Sequence, residues 1–510
     1  MKKETEEVDE IDKYAFNTIK TNKKDYIYFE NIKLNLDPKK TEKNEIIETN
    51  FPIKYSIKLE IVIKEYLRKI SDNALEKINN QTNFKNYTKN DIKWVVTVPA
   101  IWNEYGKQFM RDCAKKAGMN DILISLEPEA ASLTMFDDPN INETLKEKDK
   151  IFMLIDAGGY TVDITLNQIV DENKNLKQLS PPSGGSYGSM NFNLEIIKIF
   201  EEMVGKDVFE KFKMKQTDDW GELLKKIEEK KQDICVGKAD NINFEFNNYF
   251  TPYWTYITNI NNREKEFVTK YGIIKYDNNK IYIPNSLMKE IIKKQIDKII
   301  SHIQKLINKF NYIKIDQFVL TGGFSNCYIL KNNLIDTFKS IFVNQLNNPE
   351  RSIAKGAALF ALKPNQIISR IAPYSMGLSA HLPQRNGTEC KNKKIIDNKT
   401  ECEYYVPYVK KGEEIKNNLT KNDYFVPAYN NQTSLGFILY YSTLDNPVYI
   451  DENVKEIAYF GIEANETNLL RKERKVIVEM SFSSCITVTA KNIHSGKEVS
   501  IKANYYNRDE

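Results

Sequence analysis

The sequence predicts a layered α/β core followed by a β-rich C-terminal domain. Strand-like apolar runs alternate with helical patterns between residues 91 and 136. Three Gly-Gly pairs, in a chain with only 20 glycines in 510 residues, stand beside turn signals or at the ends of apolar runs. After Leu362 short β-like runs separated by Asn- and Gly-containing turns replace the helical period. The length, 510 residues and 59.4 kDa, suits about three domain-sized units at roughly 150 residues each.

In chain order, residues 91–100 (DIKWVVTVPA) read as a buried strand and 101–117 as a helix closed by Gly118. Residues 121–126 read as a second strand, and 127–136 (EPEAASLTMF) as a helix with Pro128 in its first turn. In IFMLIDAGGYTVDITL a strand over 151–155 ends in Asp156, residues 157–159 turn, and 160–166 alternate as a second strand. Asp156 and Asp163 then flank a glycine turn. Its N–H groups suit phosphate oxygens and the carboxylates suit a hydrated Mg²⁺ or a water, while a plain surface hairpin accounts for the same residues.

In PPSGGSYGSMNFNLEIIKIF, Gly184 and Gly185 lie in a loop feeding a helix near Asn191. A loop at a helix N-terminus is either an anion seat or a flexible connection. Residues 283–310 place Ile292, Ile296, Ile299, Ile303 and Leu306 at spacings of 4, 3, 4 and 3, with Asn285 or Ser286 as N-cap and a Lys-rich outer face. Core packing explains that stripe better than a coiled coil, and His302 beside it reads as a packed side chain. In DQFVLTGGFSNC a strand over 318–320 stops at Gly322-Gly323 and a helix begins near Ser325 or Asn326, the geometry of a nucleotide resting on a helix start. Neither a Walker string nor G-x-G-x-x-G is present there.

Composition narrows the function. With 74 basic and 70 acidic residues the net charge of +4 gives no support to nucleic acid as a partner. No apolar run approaches the roughly 18 residues of a membrane span, and the opening MKKETEEVDEIDKYAF has no apolar signal core, so a soluble cytoplasmic protein without membrane contact is expected. The cysteines at 113, 235, 327, 390, 402 and 485 form no C-x-x-C and are expected as reduced thiols; only Cys390 and Cys402 are spaced to suggest a bridge. Three histidines, His302, His381 and His494, in unrelated segments leave little material for a zinc site or a catalytic triad.

The order strand, acid, glycine turn; glycine loop, helix; strand, Gly-Gly, helix resembles the actin, sugar kinase and 70-kDa heat-shock ATPase superfamily. The strings WVVTVPAIWNEYGKQFMRDCAKKAGM, ILISLEPEAASL, DAGGYTVDITL, PPSGGSYGSMNFN, FVLTGGFSN and PERSIAKGAALFAL are similar to the divergent heat shock 70 kDa protein 12 branch. The resemblance implies an actin-like (ribonuclease H-like) two-lobed ATPase fold that binds ATP or ADP with Mg²⁺. It implies that Asp156, Gly158, Gly159 and Thr161 form the second phosphate motif, with Asp156 facing the metal through water and Asp163 as the closing acid. Glu127 corresponds to the carboxylate near the metal and attacking water, so Glu127, Asp156 and Asp163 are the implied catalytic set. Gly184 and Gly185 correspond to the β-phosphate loop, Glu228 and Lys231 to the adenosine helix, and Gly322, Gly323 and Asn326 to the adenosine motif. Taken without the resemblance, Glu228 and Lys231 read as an exposed i, i+3 ion pair.

The same resemblance divides the chain into a charged segment (1–25), the remainder of a first lobe (26–155), a second lobe with the nucleotide motifs (156–362), a linker (363–370) and a β-rich domain (371–510). PYSMGLSA and VKKGEEI are similar to the first strands of the peptide-gripping β-sandwich, which implies an unfolded peptide or client protein as partner, without a helical lid before Glu510. The family's opening acid-Gly-Thr-Thr turn has no counterpart; similarity begins at YIYFENIKLNL, and Tyr160 stands where the family has a third glycine. An N-terminally incomplete ATPase with weak or absent hydrolysis is therefore expected, because phosphoryl transfer depends on positioning from both sides. The functional expectation is an ATP-binding chaperone-like protein, the alternative a pseudo-ATPase that serves as a scaffold.

Overall fold

The structure is a computed structural model that describes Phe29 and Ile32 and residues 46–49, 55–81, 86–102, 104–238, 244–247, 265–269, 272–277, 280–383, 393–396, 399–417, 419–482 and 486–502. The expectations for residues 1–25, and for Cys390 and Cys485, lie outside the described residues.

The first α/β unit pairs strand Lys93–Val98 in parallel with Asp121–Leu126, joined through helix Glu104–Lys116. Both faces of this pair are covered, which is why its sequence is a run of apolar residues rather than an alternation. Val96, Val98 and Ile124 pack with Phe109 and Cys113 and with Leu59, Val62 and Ile63 of helix Leu59–Gln81, whereas Val95 and Leu123 turn toward a second cluster. Gly118, at φ 88°, ends the connecting helix, with Met119 N–H bonded back to Ala114 O at 3.1 Å.

The larger unit is built on an eight-stranded mixed sheet in the spatial order Phe342–Gln345, Gln317–Thr321, Ile151–Ala157, Val162–Ile169, Leu176–Gln178, Ile367–Ile371, Glu414–Lys416, with the short strand Ser183–Gly185 paired beside Val162–Ile169. One face carries helices Met190–Val204, Thr217–Cys235, Asn285–Lys309 and Tyr328–Thr337 over a core that includes Phe192, Phe200, Ile227, Ile296 and Phe318. The other face carries helices Glu127–Thr134 and Pro349–Leu362 over Phe152, Leu154 and Val319. All eight residues of Glu127–Thr134 are buried, since it is pressed between the sheet and its partner helix. A Cβ on Gly356 would come within 1.8 Å of Ala130 O, so only glycine permits that helix crossing.

The long helix buries Ile292, Ile296, Ile299 and Ile303 as the stripe requires, but it starts at Asn285 behind Pro284, so neither Asn285 nor Ser286 is its N-cap. Proline fits there because the first helical N–H groups need no intrahelical partner. Residues 363–370, read as a linker, leave helix Pro349–Leu362 through a 3-10 turn, Pro364–Gln366, and enter strand Ile367–Ile371, which pairs in parallel with Leu176–Gln178 and antiparallel with Glu414–Lys416. Long-range pairing overrides the Pro-Asn signal that suggested a free connection.

Beyond Ile371 lie two antiparallel sheets. One orders Lys393–Ile396, Lys399–Val409, Ser375–Pro383, Ser434–Ser442 and Val454–Glu463; the other orders Leu419–Phe425, Val476–Phe482, Ile486–Asn492 and Glu498–Lys502. Leu378, Leu439, Val478 and Val488 meet in a shared core. Arg474, 1% exposed, crosses this region, and its two Nη groups donate to the carbonyls of Asn430 (2.9 Å), Gln432 and Ala464, which pairs much of a buried cation with backbone oxygens. Cys402 is disulfide-bonded, against the expectation that all thiols are reduced, while Cys113, Cys235 and Cys327 are free and buried. No described helix is long and apolar enough to cross a membrane.

Candidate functional site

Strands Ile151–Ala157 and Val162–Ile169 pair antiparallel with Asp156 directly opposite Asp163, closed by a turn in which Gly158 N–H bonds Thr161 O at 3.0 Å. Both carboxylates are buried, at 2% and 0% exposure, so this is no surface hairpin. Asp163 Oδ1 accepts the Ile101 N–H at 3.1 Å, which ties the hairpin to the loop after strand Lys93–Val98. Glu127 is the first residue of the buried helix on the hairpin's other side, where the helix dipole favours a carboxylate.

Gly184 and Gly185 are not a free loop. Gly184 pairs with Asp163 in a short strand, and a Cβ there would lie 2.1 Å from Val162 O; a Cβ on Gly185 would strike the Tyr187 ring at 2.4 Å. The loop that reaches the turn is the next one, Gly188 to Met190, which sequence reasoning passed over. Gly188 N–H bonds Tyr160 O (3.1 Å), Ser189 N–H bonds Gly158 O (3.2 Å) and Met190 N–H bonds Gly159 O (2.7 Å). A Cβ on Gly188 would be 2.3 Å from Gly159 O. The signal was available: Gly188 sits just before the start of helix Met190–Val204.

From that loop a polar cluster leads to helix Thr217–Cys235. Lys231, only 7% exposed at its side chain, forms a 2.7 Å ion pair with Glu228 and donates to Ser189 Oγ at 3.3 Å. Asn193 Nδ2 donates to Glu228 Oε2 at 2.9 Å. Burial pushes the Glu228 carboxyl up, but the Lys231 ammonium and hydrogen bonds from Lys231, Asn193 and Gln232 outweigh it and hold the group below its ordinary range. Hence the pair is a partly buried junction between two helices and a loop, and not an exposed surface contact.

Gly322, at φ 81°, follows strand Gln317–Thr321 and is pinned against the hairpin: a Cβ there would meet Ala157 O at 2.4 Å and Asp156 Oδ1 at 2.5 Å. Gly323 faces open space. The following turn is 3-10 helix, Gly323–Asn326, and the α-helix starts only at Tyr328 because Ser325 Oγ bonds back to Gly322 O at 2.7 Å and Cys327 N–H to Phe324 O. Asn326 Oδ1 accepts from Gln345 Nε2 at 2.8 Å. Thus the structure joins Asp156, Asp163, the 158–161 turn and Gly322 directly, and Glu228 and Lys231 through Ser189; Gly184 and Gly185 serve the hairpin's edge.

Behind Glu127 a second polar junction forms. Arg370 holds Glu129 with two hydrogen bonds, Nε to Oε1 at 2.7 Å and Nη2 to Oε2 at 3.0 Å; Gln178 Nε2 also reaches Glu129 Oε1 at 2.9 Å. A cavity of about 130 Å³ opens beside this pair, between the first unit, strand Ile367–Ile371 and the C-terminal sheets, and its lining includes Tyr374, Met376 and Phe482.

An α/β structure with a mixed central sheet brings glycine turns from three segments onto a buried acid pair. The family model "Hsp70 protein" matches residues 38–270, a domain that implies an actin-like ATPase fold, and the chain is similar to the divergent heat shock 70 kDa protein 12 branch. It is 25% identical to heat shock 70 kDa protein 12A of Homo sapiens over 86% of this chain and 74% of that protein. Against heat shock 70 kDa protein 12B of Homo sapiens it is 23% identical over 72% of this chain and 62% of that protein. It is also 24% identical to chaperone protein DnaK of Carsonella ruddii over 56% of this chain and 44% of that protein.

Proposed function

We propose that this chain is a nucleotide-binding, chaperone-like protein that holds Mg·ATP or Mg·ADP between its lobes and hydrolyses it weakly or not at all. The observation that carries the reading is the junction of the 158–161 turn with Gly188 to Met190, extended through Ser189 to Lys231 and Glu228. The match of residues 38–270 to the Hsp70 family model and the similarity to named chaperones support it.

The residues fit a nucleoside better than they fit a transferring phosphate. Gly323 leaves open room beside the Gly322 turn, and Glu228 with Lys231 offers an acceptor and a donor. Among the described residues no cluster of three or more acids, histidines or cysteines could hold a metal directly. That suits a Mg²⁺ carried by phosphates and waters, with Asp156 orienting the waters. When bound, the ion would neutralise phosphate charge. The chain's own contribution is to keep Asp156 and Asp163 opposite one another and out of bulk water.

At the phosphate side the N–H groups of residues 188–190 are engaged by the carbonyls of 158–160. Donors already satisfied by the protein stabilise a transition state poorly, because electrostatic catalysis needs donors aimed at the developing charge. This favours binding over turnover, and therefore also gives weight to a pseudo-ATPase reading. The C-terminal sheets are proposed to take an extended peptide or client, as the similarity of PYSMGLSA and VKKGEEI suggests.

Calorimetric titration of the purified chain with Mg·ATP and with Mg·ADP tests the core claim. One saturable site is the expected result, with single-turnover hydrolysis orders of magnitude below an efficient ATPase. A folded protein that gives no heat with either nucleotide overturns it.

A further inference from the structure

We propose that the cavity beside Arg370 and Glu129 is a binding site for a small monocarboxylate whose apolar body is the size of one benzene ring. The cavity has a volume of about 130 Å³. An apolar cavity of about 150 Å³ is large enough to take up benzene, so this space suits a single ring or a short branched chain. Three parts of the chain wall it. Ile124 and Leu126 come from strand Asp121–Leu126 of the first unit, Ile371 and Ile415 from the paired strands Ile367–Ile371 and Glu414–Lys416, and Met376 and Phe482 from the two C-terminal sheets.

The polar groups at these walls are few, and they converge on one guanidinium. Glu129, 4% exposed, accepts Arg370 Nε at 2.7 Å and Nη2 at 3.0 Å, while Arg370 Nη1 donates to Asn417 Oδ1 at 3.0 Å. Glu129 is itself held by Gln178, 1% exposed, through a 2.9 Å bond from Nε2. A guanidinium carries five N–H donors. Glu129 and Asn417 take three, so two have no protein acceptor among the described residues, and the side chain keeps 25% of its surface accessible where it lines the cavity. A planar donor group fixed from two sides, with N–H groups left over at the wall of an apolar space, is preorganised for a planar anion.

Charge points the same way. Lys107, Arg370 and Lys416 line the cavity against the carboxylate of Glu129, so one further anion can enter and still leave its surroundings net positive. A neutral ligand would leave the remaining Arg370 N–H groups without an acceptor. A doubly charged phosphate would have to shed more hydration into walls of Ile, Met and Phe than two N–H groups return. A carboxylate on an apolar body meets both demands, its oxygens on Arg370 and its ring or chain against Met376, Phe482 and Ile415. None of the residues that line this cavity belongs to the 158–161 turn, to residues 188–190 or to helix Thr217–Cys235, so the inference does not rest on the proposed nucleotide site.

The test uses the full chain with benzoate as the probe, followed by calorimetry and by saturation-transfer NMR. One saturable site with a dissociation constant of about 1 mM or lower is expected, as befits so small a ligand. Benzyl alcohol, the same ring without the charge, is expected to bind about tenfold more weakly or worse. Photolysis with 4-azidobenzoate is expected to label the peptides that carry Tyr374 and Met376 or Ile415, and excess benzoate to suppress that labelling. Ile415→Trp, which puts a large ring into the space from a half-buried position, is expected to abolish binding. Arg370→Lys keeps a cation beside Glu129 but removes the planar fork; it is expected to weaken benzoate about tenfold and to leave benzyl alcohol unchanged. Where either variant fails to fold, the position of the photolabel on the native chain decides. No saturation up to about 10 mM, equal affinity for benzoate and benzyl alcohol, displacement of the photolabel by inorganic phosphate but not by benzoate, or labelling confined to the 158–161 turn and helix Thr217–Cys235 each overturns the proposal. The first outcome would leave the cavity to solvent, and the last would move the carboxylate to the nucleotide site.

Discussion

At the proposed nucleoside end of the site the polar atoms belong to side chains, Glu228, Lys231, Asn193 and Ser189, which bond one another across two helices and a loop. At the phosphate end they belong to the backbone, and the N–H groups of residues 188–190 are spent on the carbonyls of 158–160. Meeting a ligand at the first end needs side-chain rotations that break individual bonds, whereas a zipped pair of loops must first separate along the backbone. The contrast teaches that the two ends of the proposed site are built differently, one from side chains bonded across helices and the other from loop backbone bonded to itself.

The largest expected effect lies outside both ends and bounds the comparison. Arg370→Ala removes the partner of Glu129, which is 4% exposed, and leaves a buried carboxylate; a loss of about 3 kcal/mol is expected. Hydrogen exchange should rise in strand Ile367–Ile371, and should stay unchanged in the 158–161 turn. Next comes the phosphate end. Gly188→Ala forces a Cβ to within 2.3 Å of Gly159 O, so the zipped loops must part at about 2 kcal/mol, read as a lowered urea midpoint. If the midpoint is unmoved, the loops are not locked and the contrast disappears.

Asp156→Asn is expected to weaken Mg·ADP binding about tenfold, or about 1.4 kcal/mol, and to leave metal-free ADP binding nearly unchanged, as titrations with and without chelator would show. Equal loss in both would place Asp156 in the fold's packing alone. At the nucleoside end, Glu228→Gln leaves Lys231 without its anion; with Glu228 at 40% side-chain exposure, solvent screening reduces the expected cost to about 1 kcal/mol. The smallest effect is one of pH. Glu228 has a folded value below the ordinary 4.5, so its contribution is complete above that value and fades as pH falls through the lower one. The stability difference between the native chain and Glu228→Gln should therefore narrow below about pH 4.5 and stay constant from there to neutral pH. A difference that widens in acid would reverse the assigned sign.

Much of this was legible before any coordinates. The hairpin of 151–166, the strand at 121–126 and the isoleucine stripe of the long helix follow from local periodicity, whereas the burial of Asp156 and Asp163 was left open against a surface hairpin. The misreadings share one cause. Gly184 and Gly185 were conspicuous as a pair, yet Gly184 packs on Val162 at the hairpin's edge while Gly188 approaches the 158–161 turn, and nothing in a single string says which backbone each glycine will touch. Glu228 and Lys231 read alone as a surface pair because the loop that buries Lys231 is 42 residues away.

What the sequence by itself determined is the kind of the strongly periodic elements and the family motifs, because these depend on propensity and spacing within a few residues. Only the tertiary structure decided that a linker-like segment becomes a sheet strand and that Glu129 meets Arg370 across 241 residues. Those outcomes depend on which faces are brought together when several cores are buried at once, and burial is indifferent to distance along the chain.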